Sequence, residues 1–202
     1  MPPIVRGMAR TKSTERARKR ILSDEELRKV WNAEGALGPL VCFILLTSAR
    51  RTEAAEMTWD ELEGTEWTLP AERNKTKVDL VRPLSVAAME VLIAAKMQND
   101  NGPFVFKKGS LSTFKKSFDE ACGVSGWTLH DCRRTARSLM SRAGVSSDVA
   151  ERCLGHVIPG VRGVYDRHEY REEKRLAFEA LASLVGRIVH TQENVLPLRG
   201  SQ

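Results

Sequence analysis

The chain has few tyrosines, no paired cysteines and no long apolar runs. The lack of long apolar runs argues against a membrane protein, and the lack of paired cysteines argues against a disulfide-linked secreted protein. No apolar run approaches the ~20 residues that span a bilayer, and the opening MPPIVRGMARTK lacks the apolar centre of a signal peptide. We therefore expect a cytoplasmic protein that does not contact membranes. The four cysteines show no close pairing pattern, which indicates reduced, mostly buried thiols rather than a disulfide framework. They are Cys42, Cys122, Cys132 and Cys153.

Only two tyrosines occur among the 202 residues, and they lie five positions apart. Tyr165 and Tyr170 both fall in ERCLGHVIPGVRGVYDRHEY, residues 151–170, which also holds two of the four histidines. Such a segment is either a half-buried helix with polar tips or the carrier of a nucleophilic phenol. The rest of the sequence has to distinguish these two possibilities.

Positive charge is concentrated at the start of the chain. Residues 1–20 hold seven basic side chains and one acidic side chain, so this arm carries the whole net charge of +6. A basic arm on a neutral body suits contact with a polyanion such as DNA, although a solvated linker has the same composition. Residues 107–142 form a second basic stretch, with eight basic and three acidic side chains. The candidate DNA-binding residues are Arg16, Arg18, Lys19, Arg20 and Arg134.

The hydrophobic pattern predicts a mainly helical fold with a small three-stranded antiparallel sheet. Ser23 and Glu26 have capping-box spacing, GPLVCFILLTSA predicts a buried helix, and Thr52 is expected to cap a short helix. Two strands are expected around Glu63-Gly64 and a third at VRPLS, before a helix capped by Ser85. Further helices are predicted over 111–121, 130–143, 147–153, near Tyr165, and from about 170 to 187. No internal repeat interrupts this pattern.

Several side chains are suited to phosphate chemistry when they are taken together. His130 and Arg133 share one face near the start of a predicted helix, where backbone N–H groups favour an anion. Arg50 follows an apolar helix, Lys75 lies on a loop between strands, and His156 follows Gly155, a natural helix stop. Each of these residues alone is compatible with an ordinary surface or capping role. Together with a tyrosine they describe transesterification at a phosphodiester, with cations neutralising the non-bridging oxygens.

The segments TSARRTEAAEMTWDEL, LHDCRRTARSLMSRAGV, ERCLGH and GVYDRHEY resemble the catalytic domain of the tyrosine recombinases, the phage integrase family. The resemblance runs from about residue 21 to residue 187, with the motifs in the family's order. It divides the chain into a basic arm (1–20), a catalytic domain (21–187) and a tail (188–202). It also implies that a separate DNA-gripping helical domain precedes the catalytic domain in family members, so the chain resembles an excised catalytic domain.

The resemblance implies specific roles. Arg50 and Arg133 would clamp the phosphate, His130 would complete the His-x-x-Arg pair, and Lys75 would be the lysine on the sheet's turn, with Lys77 as its close neighbour. His156 would take the third-position histidine role and Tyr165 would be the nucleophile, nine residues later. Glu53 and Asp131 would support the site. Ser48 stands where glycine is frequent in the family, and Tyr170 fits no catalytic position, so we expect it to pack at the start of the following helix.

The family joins its tyrosine to the DNA 3′-phosphate and needs neither a metal nor another cofactor. The implied partners are double-stranded DNA with attachment-type sites and other recombinase protomers, assembled as a tetramer on DNA.

Three alternatives remain open from the residues. His130-x-Cys132 and Cys153-x-x-His156 have the spacing of zinc ligands, although Cys132 is expected to face the core. A DNA-binding module without catalysis would use the same basic surface. A type IB topoisomerase would run the same chemistry but would only relax supercoils.

Overall fold

A computed structural model describes residues 18–98, 102–156 and 169–190. Its first half contains three helices, a 3₁₀ turn and three short strands. They are α1 (Asp24–Trp31), α2 (Gly38–Thr47), α3 (Arg51–Ala55), the turn Trp59–Glu61, β1 (Leu62–Glu63), β2 (Glu66–Leu69) and β3 (Leu80–Pro83). Five further helices follow. They are α4 (Val86–Gln98), α5 (Leu111–Cys122), α6 (Leu129–Arg142), α7 (Ser147–Cys153) and α8 (Arg171–Val189).

The strands form one antiparallel sheet in the order β1-β2-β3. Trp67 pairs with Leu62 on one side and with Arg82 on the other. The mainly helical fold with a three-stranded antiparallel sheet was predicted correctly. The third strand ends at Pro83 rather than Ser85. The Ser85 hydroxyl accepts a hydrogen bond from the backbone N–H of Ala88 and so caps α4, as expected, which takes Ser85 out of the strand.

Helix α2 forms the centre of the core because nearly all of its side chains are apolar. It packs against α4 and α6, and Phe43 contacts the rings of Trp67 and Phe106 at centroid distances of 5.5 and 5.3 Å. Helix α8 packs across α1, α6, α7 and β3. It continues to Val189, two residues beyond the expected end, since Ile188 and Val189 are themselves buried. The helix expected near Tyr165 lies outside the described residues.

The capping chemistry agrees with the sequence at α1 and differs at α3. Ser23 and Glu26 form the expected capping box. The expected cap by Thr52 is wrong, because α3 begins at Arg51 and Arg50 occupies the N-cap position. The Glu53 carboxylate accepts the Arg50 backbone N–H at 3.0 Å, which satisfies the helix start without a hydroxyl.

All four cysteines are buried free thiols, as predicted. Burial raises the pKa of Cys42 and of Cys153 to about 12 in each case. Within the parts of the chain described, no helix is long and apolar enough to cross a membrane.

Candidate active site

Arg133 lies on the first turns of α6 and is held by three acceptors from two segments, the end of α2 and the chain that follows α7. Its guanidinium donates to the carbonyl oxygens of Ser48 and Leu154, the latter at 2.9 Å, and to Nε2 of His156 at 3.1 Å. The side chain is almost fully buried. Burial, and then the charges of Arg82 and Arg50, lower the pKa of Arg133 to about 9, so the guanidinium is still protonated at neutral pH.

Two left-handed residues shape the backbone that holds Arg133. Ser48 ends α2 with φ 52°, and Gly155 follows α7 with φ 67°. The positive φ at Gly155 favours glycine, and a Cβ there would also force the side chain of Leu80 to shift. The chain therefore reverses tightly at both places, which brings two backbone carbonyls to one guanidinium.

His156 connects Arg133 to a surface carboxylate. Its Nδ1 lies 2.5 Å from Oε2 of Glu151, whose Oε1 accepts from Arg137 at 2.9 Å. Because a guanidinium can only donate, Nε2 of His156 must be the acceptor and Nδ1 must carry the proton toward Glu151. Burial raises the pKa of Glu151, but the hydrogen bonds from Arg137 and His156 outweigh it, so the pKa is lowered. The hydrogen-bond directions thus define the tautomer of His156, with the proton on Nδ1 and the acceptor at Nε2.

Arg50 is held at the start of α3 by Glu53. The Arg50 guanidinium contacts Oε1 of Glu53. Oε2 of the same carboxylate accepts a hydrogen bond from Nη2 of Arg82 at 2.8 Å. Although burial raises the pKa of Glu53, the charge of Arg82 and the hydrogen bonds from Arg50 lower it overall. Arg50 is only half-buried, so its guanidinium is held from behind while its outer side reaches solvent.

His130 is exposed between the two arginines. It lines a cavity of about 470 Å³ with Arg50, and a second cavity of about 380 Å³ with Arg133 and His156. Although His130 is exposed, the neighbouring protein partly desolvates its ring, which lowers its pKa, and the charges of Arg134 and Arg133 lower it further. The imidazole is therefore disposed to be neutral beside two cations.

Lys75 lies on the exposed loop 70–79 between β2 and β3 and does not line either cavity. The loop is tied to the site by Arg73, which donates to the Glu53 carbonyl at 3.2 Å and to Glu61 at 2.9 Å. Lys77 has φ 58°, and its amine donates to the carbonyl of Glu72 at 3.3 Å. Lys75 is thus the exposed lysine of an anchored turn, and Lys77 is bonded within it.

Asp131 is completely buried and organises the start of α6. Its carboxylate accepts the Thr128 backbone N–H at 2.9 Å and pairs with Arg134 at 2.7 Å and Arg18 at 2.8 Å. Burial raises its pKa, but the hydrogen bonds from Thr128 and Arg134 lower it overall. Two candidate DNA-binding arginines therefore share one carboxylate.

The other candidate DNA-binding residues are placed differently. Arg20 pairs with Glu26 at 2.7 Å, and Lys19 lines the cavity of about 380 Å³ beside His130. Arg16 lies outside the described residues, as does the candidate nucleophile Tyr165. Tyr170 immediately precedes α8, as expected, with φ 53° and the guanidinium of Arg152 at 3.7 Å from its ring centroid.

The ligand pairs of the zinc alternative diverge in the structure. Cys132 and Cys153 are fully buried, whereas His130 and His156 are exposed. Cys132 faces the core, as the helical spacing predicted. In the part of the chain that the structure describes, no three potential ligands gather at one point.

Sequence reasoning missed three side chains of this cluster: Arg82, Glu151 and Arg137. An arginine inside the apolar run LVRPL was a signal of a buried charge, but nothing in the sequence identified its partner. Glu151 precedes His156 by five residues across a helix end, which was a weaker local signal.

The chain matches the phage integrase family over residues 19–172. It is 33% identical over 172 residues to prophage integrase IntA of Escherichia coli (strain K12), covering 77% of this chain and 41% of that protein. Prophage integrase IntZ of the same strain is 31% identical over 162 residues, covering 76% and 40%. The chain thus spans about two fifths of the length of these curated relatives.

Solved structures share the fold. The lambda integrase catalytic core superposes with a TM-score of 0.56 at 20% identity, covering 71% of this chain and 95% of that chain. The integrase from mycobacterium phage Brujita gives a TM-score of 0.62 at 16% identity, covering 85% and 64%. The architecture is therefore that of an integrase catalytic core. The chain belongs to the phage integrase family, which confirms the resemblance found in its motifs.

Proposed function

We propose that the chain is the catalytic domain of a site-specific DNA recombinase that cleaves and rejoins strands through a phosphotyrosine intermediate. The observation that carries the proposal is that Arg50 and Arg133, each fixed from behind, line two cavities that share His130. Two guanidiniums presented from separate elements suit a phosphodiester, whose two non-bridging oxygens gain charge in the transition state.

In the proposed reaction, the phenolate oxygen of Tyr165 attacks the scissile phosphorus. The P–O bond to the 5′ oxygen breaks, and the strand is left with a 3′-phosphotyrosine and a free 5′-hydroxyl. A second strand's 5′-hydroxyl reverses the step and releases Tyr165, so bond energy is conserved. Arg50 and Arg133 neutralise the phosphate, and Glu53 and Asp131 support the cationic groups.

Proton transfer falls to His130 and Lys75. His130 has a lowered pKa and accepts the phenol's proton, since a free phenol with a pKa near 10 is largely protonated at neutral pH. Lys75 protonates the departing 5′ oxygen. His156, a hydrogen-bond acceptor for Arg133, holds that guanidinium toward the phosphate.

The proposed substrate is double-stranded DNA with attachment-type sites, contacted by Arg16, Arg18, Lys19, Arg20 and Arg134. A lambda integrase dimer is bound to a core site in one related structure, and a lambda integrase tetramer is bound to a Holliday junction in another. We infer the same kind of assembly here, with protomers meeting on DNA in the cytoplasm of a bacterial host.

The test is covalent trapping in EDTA. Protein is incubated with supercoiled plasmid and nicked duplexes at low salt and quenched with detergent, and protein-bound DNA is measured. Tyr165→Phe should abolish the adduct, and the matched Tyr170→Phe should retain it. An adduct that persists in Tyr165→Phe, or that forms only with added metal, would overturn the proposal. DNA retention without any adduct would instead favour a binding module.

A further inference from the structure

Arg82 is an unusual residue for the middle of a small sheet. It lies on β3, is fully buried, and pairs with Oε2 of Glu53 at 2.8 Å. Its guanidinium carbon is 4.9 Å from the Trp67 ring, while Nε and Nη1 are buried without a hydrogen-bond partner among the described residues. A buried cation with unsatisfied donors is costly, and an apolar side chain of similar shape would fit such a core better.

Glu53 is the point that connects Arg82 to the candidate active site. One carboxylate serves two guanidiniums, because Oε1 contacts that of Arg50 and Oε2 contacts that of Arg82. Oε2 also accepts the Arg50 backbone N–H at 3.0 Å. Without Arg82, the negative charge of Glu53 would be balanced by Arg50 alone, and the pair would offer a phosphate no net charge. With Arg82, the three groups together keep one positive charge, and the exposed member is Arg50.

We propose that Arg82 is a positioning residue for strand cleavage: it locks Glu53 from the core side and balances its charge, so that Arg50 presents a full positive charge to the scissile phosphate. This inference rests on the proposed function. Arg82 does not touch the DNA; it acts through Glu53 on the strength and orientation of Arg50. The same charge also acts on Arg133, whose pKa it lowers.

The experiment measures single-turnover formation of the covalent adduct on a nicked duplex for Arg82→Met, Arg82→Lys and the double variant Glu53→Gln/Arg82→Met. Methionine keeps much of the shape and removes the charge. We expect Arg82→Met to slow cleavage by about 100-fold with DNA affinity nearly unchanged, the loss typical of one electrostatic group at a reacting anion. Arg82→Lys should recover part of the rate.

The double variant separates charge from packing. It removes the buried carboxylate together with the buried cation, and the amide introduced by Glu53→Gln keeps an acceptor oxygen for Arg50. The positive charge at the site returns, so cleavage should rise about tenfold above that of Arg82→Met. A packing role predicts no recovery, since the second substitution adds a further change to the core.

A chemical probe at the phosphate gives an independent readout. Replacing one non-bridging oxygen of the scissile phosphate with a methyl group removes its negative charge, so the benefit of positive charge at Arg50 becomes smaller. The rate deficit of Arg82→Met should shrink several-fold on this substrate. An unchanged deficit, or a double variant as slow as the single one, would overturn the proposal.

Two controls make the outcomes distinguishable. Lys174→Met removes another buried cation, whose amine donates to the β3 carbonyl of Val81 at 2.9 Å, and it should cleave within about threefold of wild type because this lysine does not contact Glu53. Tyr165→Phe tests the proposed function itself. An adduct that persists in Tyr165→Phe overturns that function, whereas a normal rate in Arg82→Met overturns only the role of Arg82.

Discussion

Nη2 of Arg133 donates to Nε2 of His156 at 3.1 Å, so this histidine is an acceptor on its inner side and a donor, toward Glu151, on its outer side. Neutral imidazole satisfies both bonds. A protonated ring would place an N–H against the guanidinium and lose the inner bond. His156 therefore orients Arg133 through Nε2. Substitutions that replace only one of the two ring nitrogens can test this role.

Two substitutions of His156 should therefore differ. The amide oxygen of His156→Gln reaches the place of Nε2 and can still accept from Arg133, whereas the shorter His156→Asn cannot. We expect the asparagine variant to cleave about 100-fold more slowly than wild type and the glutamine variant to lose at most about tenfold. Single-turnover adduct formation measures both. Equal losses in the two variants would remove the acceptor role.

His130 should make stability depend on pH. Its pKa is lowered in the fold, first by partial desolvation of the ring and then by Arg134 and Arg133, so unfolding takes up a proton near the ordinary imidazole pKa. The stability that neutral His130 contributes is fully present at pH values above the ordinary imidazole pKa. It is lost as the pH falls from that pKa toward the lower pKa that His130 has in the folded protein. Urea unfolding at about pH 7.5 and 5.5 should show a smaller stability loss for His130→Asn than for wild type. An equal loss would mean that neighbouring charges do not disfavour the imidazolium.

Glu53→Gln should destabilise the protein strongly. It leaves the fully buried Arg82 without its ion pair, which costs about 3–5 kcal/mol in comparable buried pairs. The matched control is Glu56→Gln at the end of α3, where an exposed carboxylate lies 4.0 Å from Arg73 and should contribute under about 1 kcal/mol. Denaturant unfolding compares the two variants. Similar small effects would contradict the buried-pair assignment.

Ser48 should be a site where glycine stabilises. Its φ of 52° is strained for a residue with a Cβ, and its buried hydroxyl has no hydrogen-bond partner among the described residues. Ser48→Ala removes only the hydroxyl, while Ser48→Gly also relieves the backbone. We expect the glycine variant to be about 1 kcal/mol more stable than the alanine variant in urea unfolding. The reverse order would show that the turn is not strained.

The two loop lysines can be separated by leaving-group chemistry. If Lys75 is the general acid, Lys75→Ala should slow cleavage by about 100-fold or more, and a substrate with sulfur at the 5′ bridging position should recover the rate because a thiolate leaves without a proton. Lys77→Ala should change little, since its amine is used by the Glu72 carbonyl within the loop. Recovery seen for Lys77→Ala instead would assign the acid to Lys77.

Local signals in the sequence predicted much of this molecule. Ser23 with Glu26, the apolar run of α2 and the helical spacing of α6 each depend on neighbours a few residues away, and each formed as expected. His130 and Arg133 were identified because they share one helical face. Thr52 was assigned wrongly because a carboxylate three residues beyond Arg50 replaced the hydroxyl cap.

Long-range pairs were not predictable in the same way. Glu53 and Arg82 are 29 positions apart, and Arg18 and Asp131 are 113 positions apart, so only the folded topology brings these charges together. A buried charge is visible in a sequence as an exception to an apolar pattern, but its partner is chosen by packing. The motifs therefore indicated the supporting roles of Glu53 and Asp131, but they did not contain Arg82, the buried partner of Glu53.

The burial of all four thiols also makes the protein convenient to label. Cys42 and Cys153 have pKa values of about 12, so almost no thiolate is available to a maleimide at neutral pH, and Cys122 and Cys132 are equally enclosed. A single cysteine introduced on the exposed loop beside Lys75 would then be the reactive one in the native protein. A fluorophore placed there would report in real time the approach of DNA to the two cavities that share His130, and the natural cysteines would not have to be removed first.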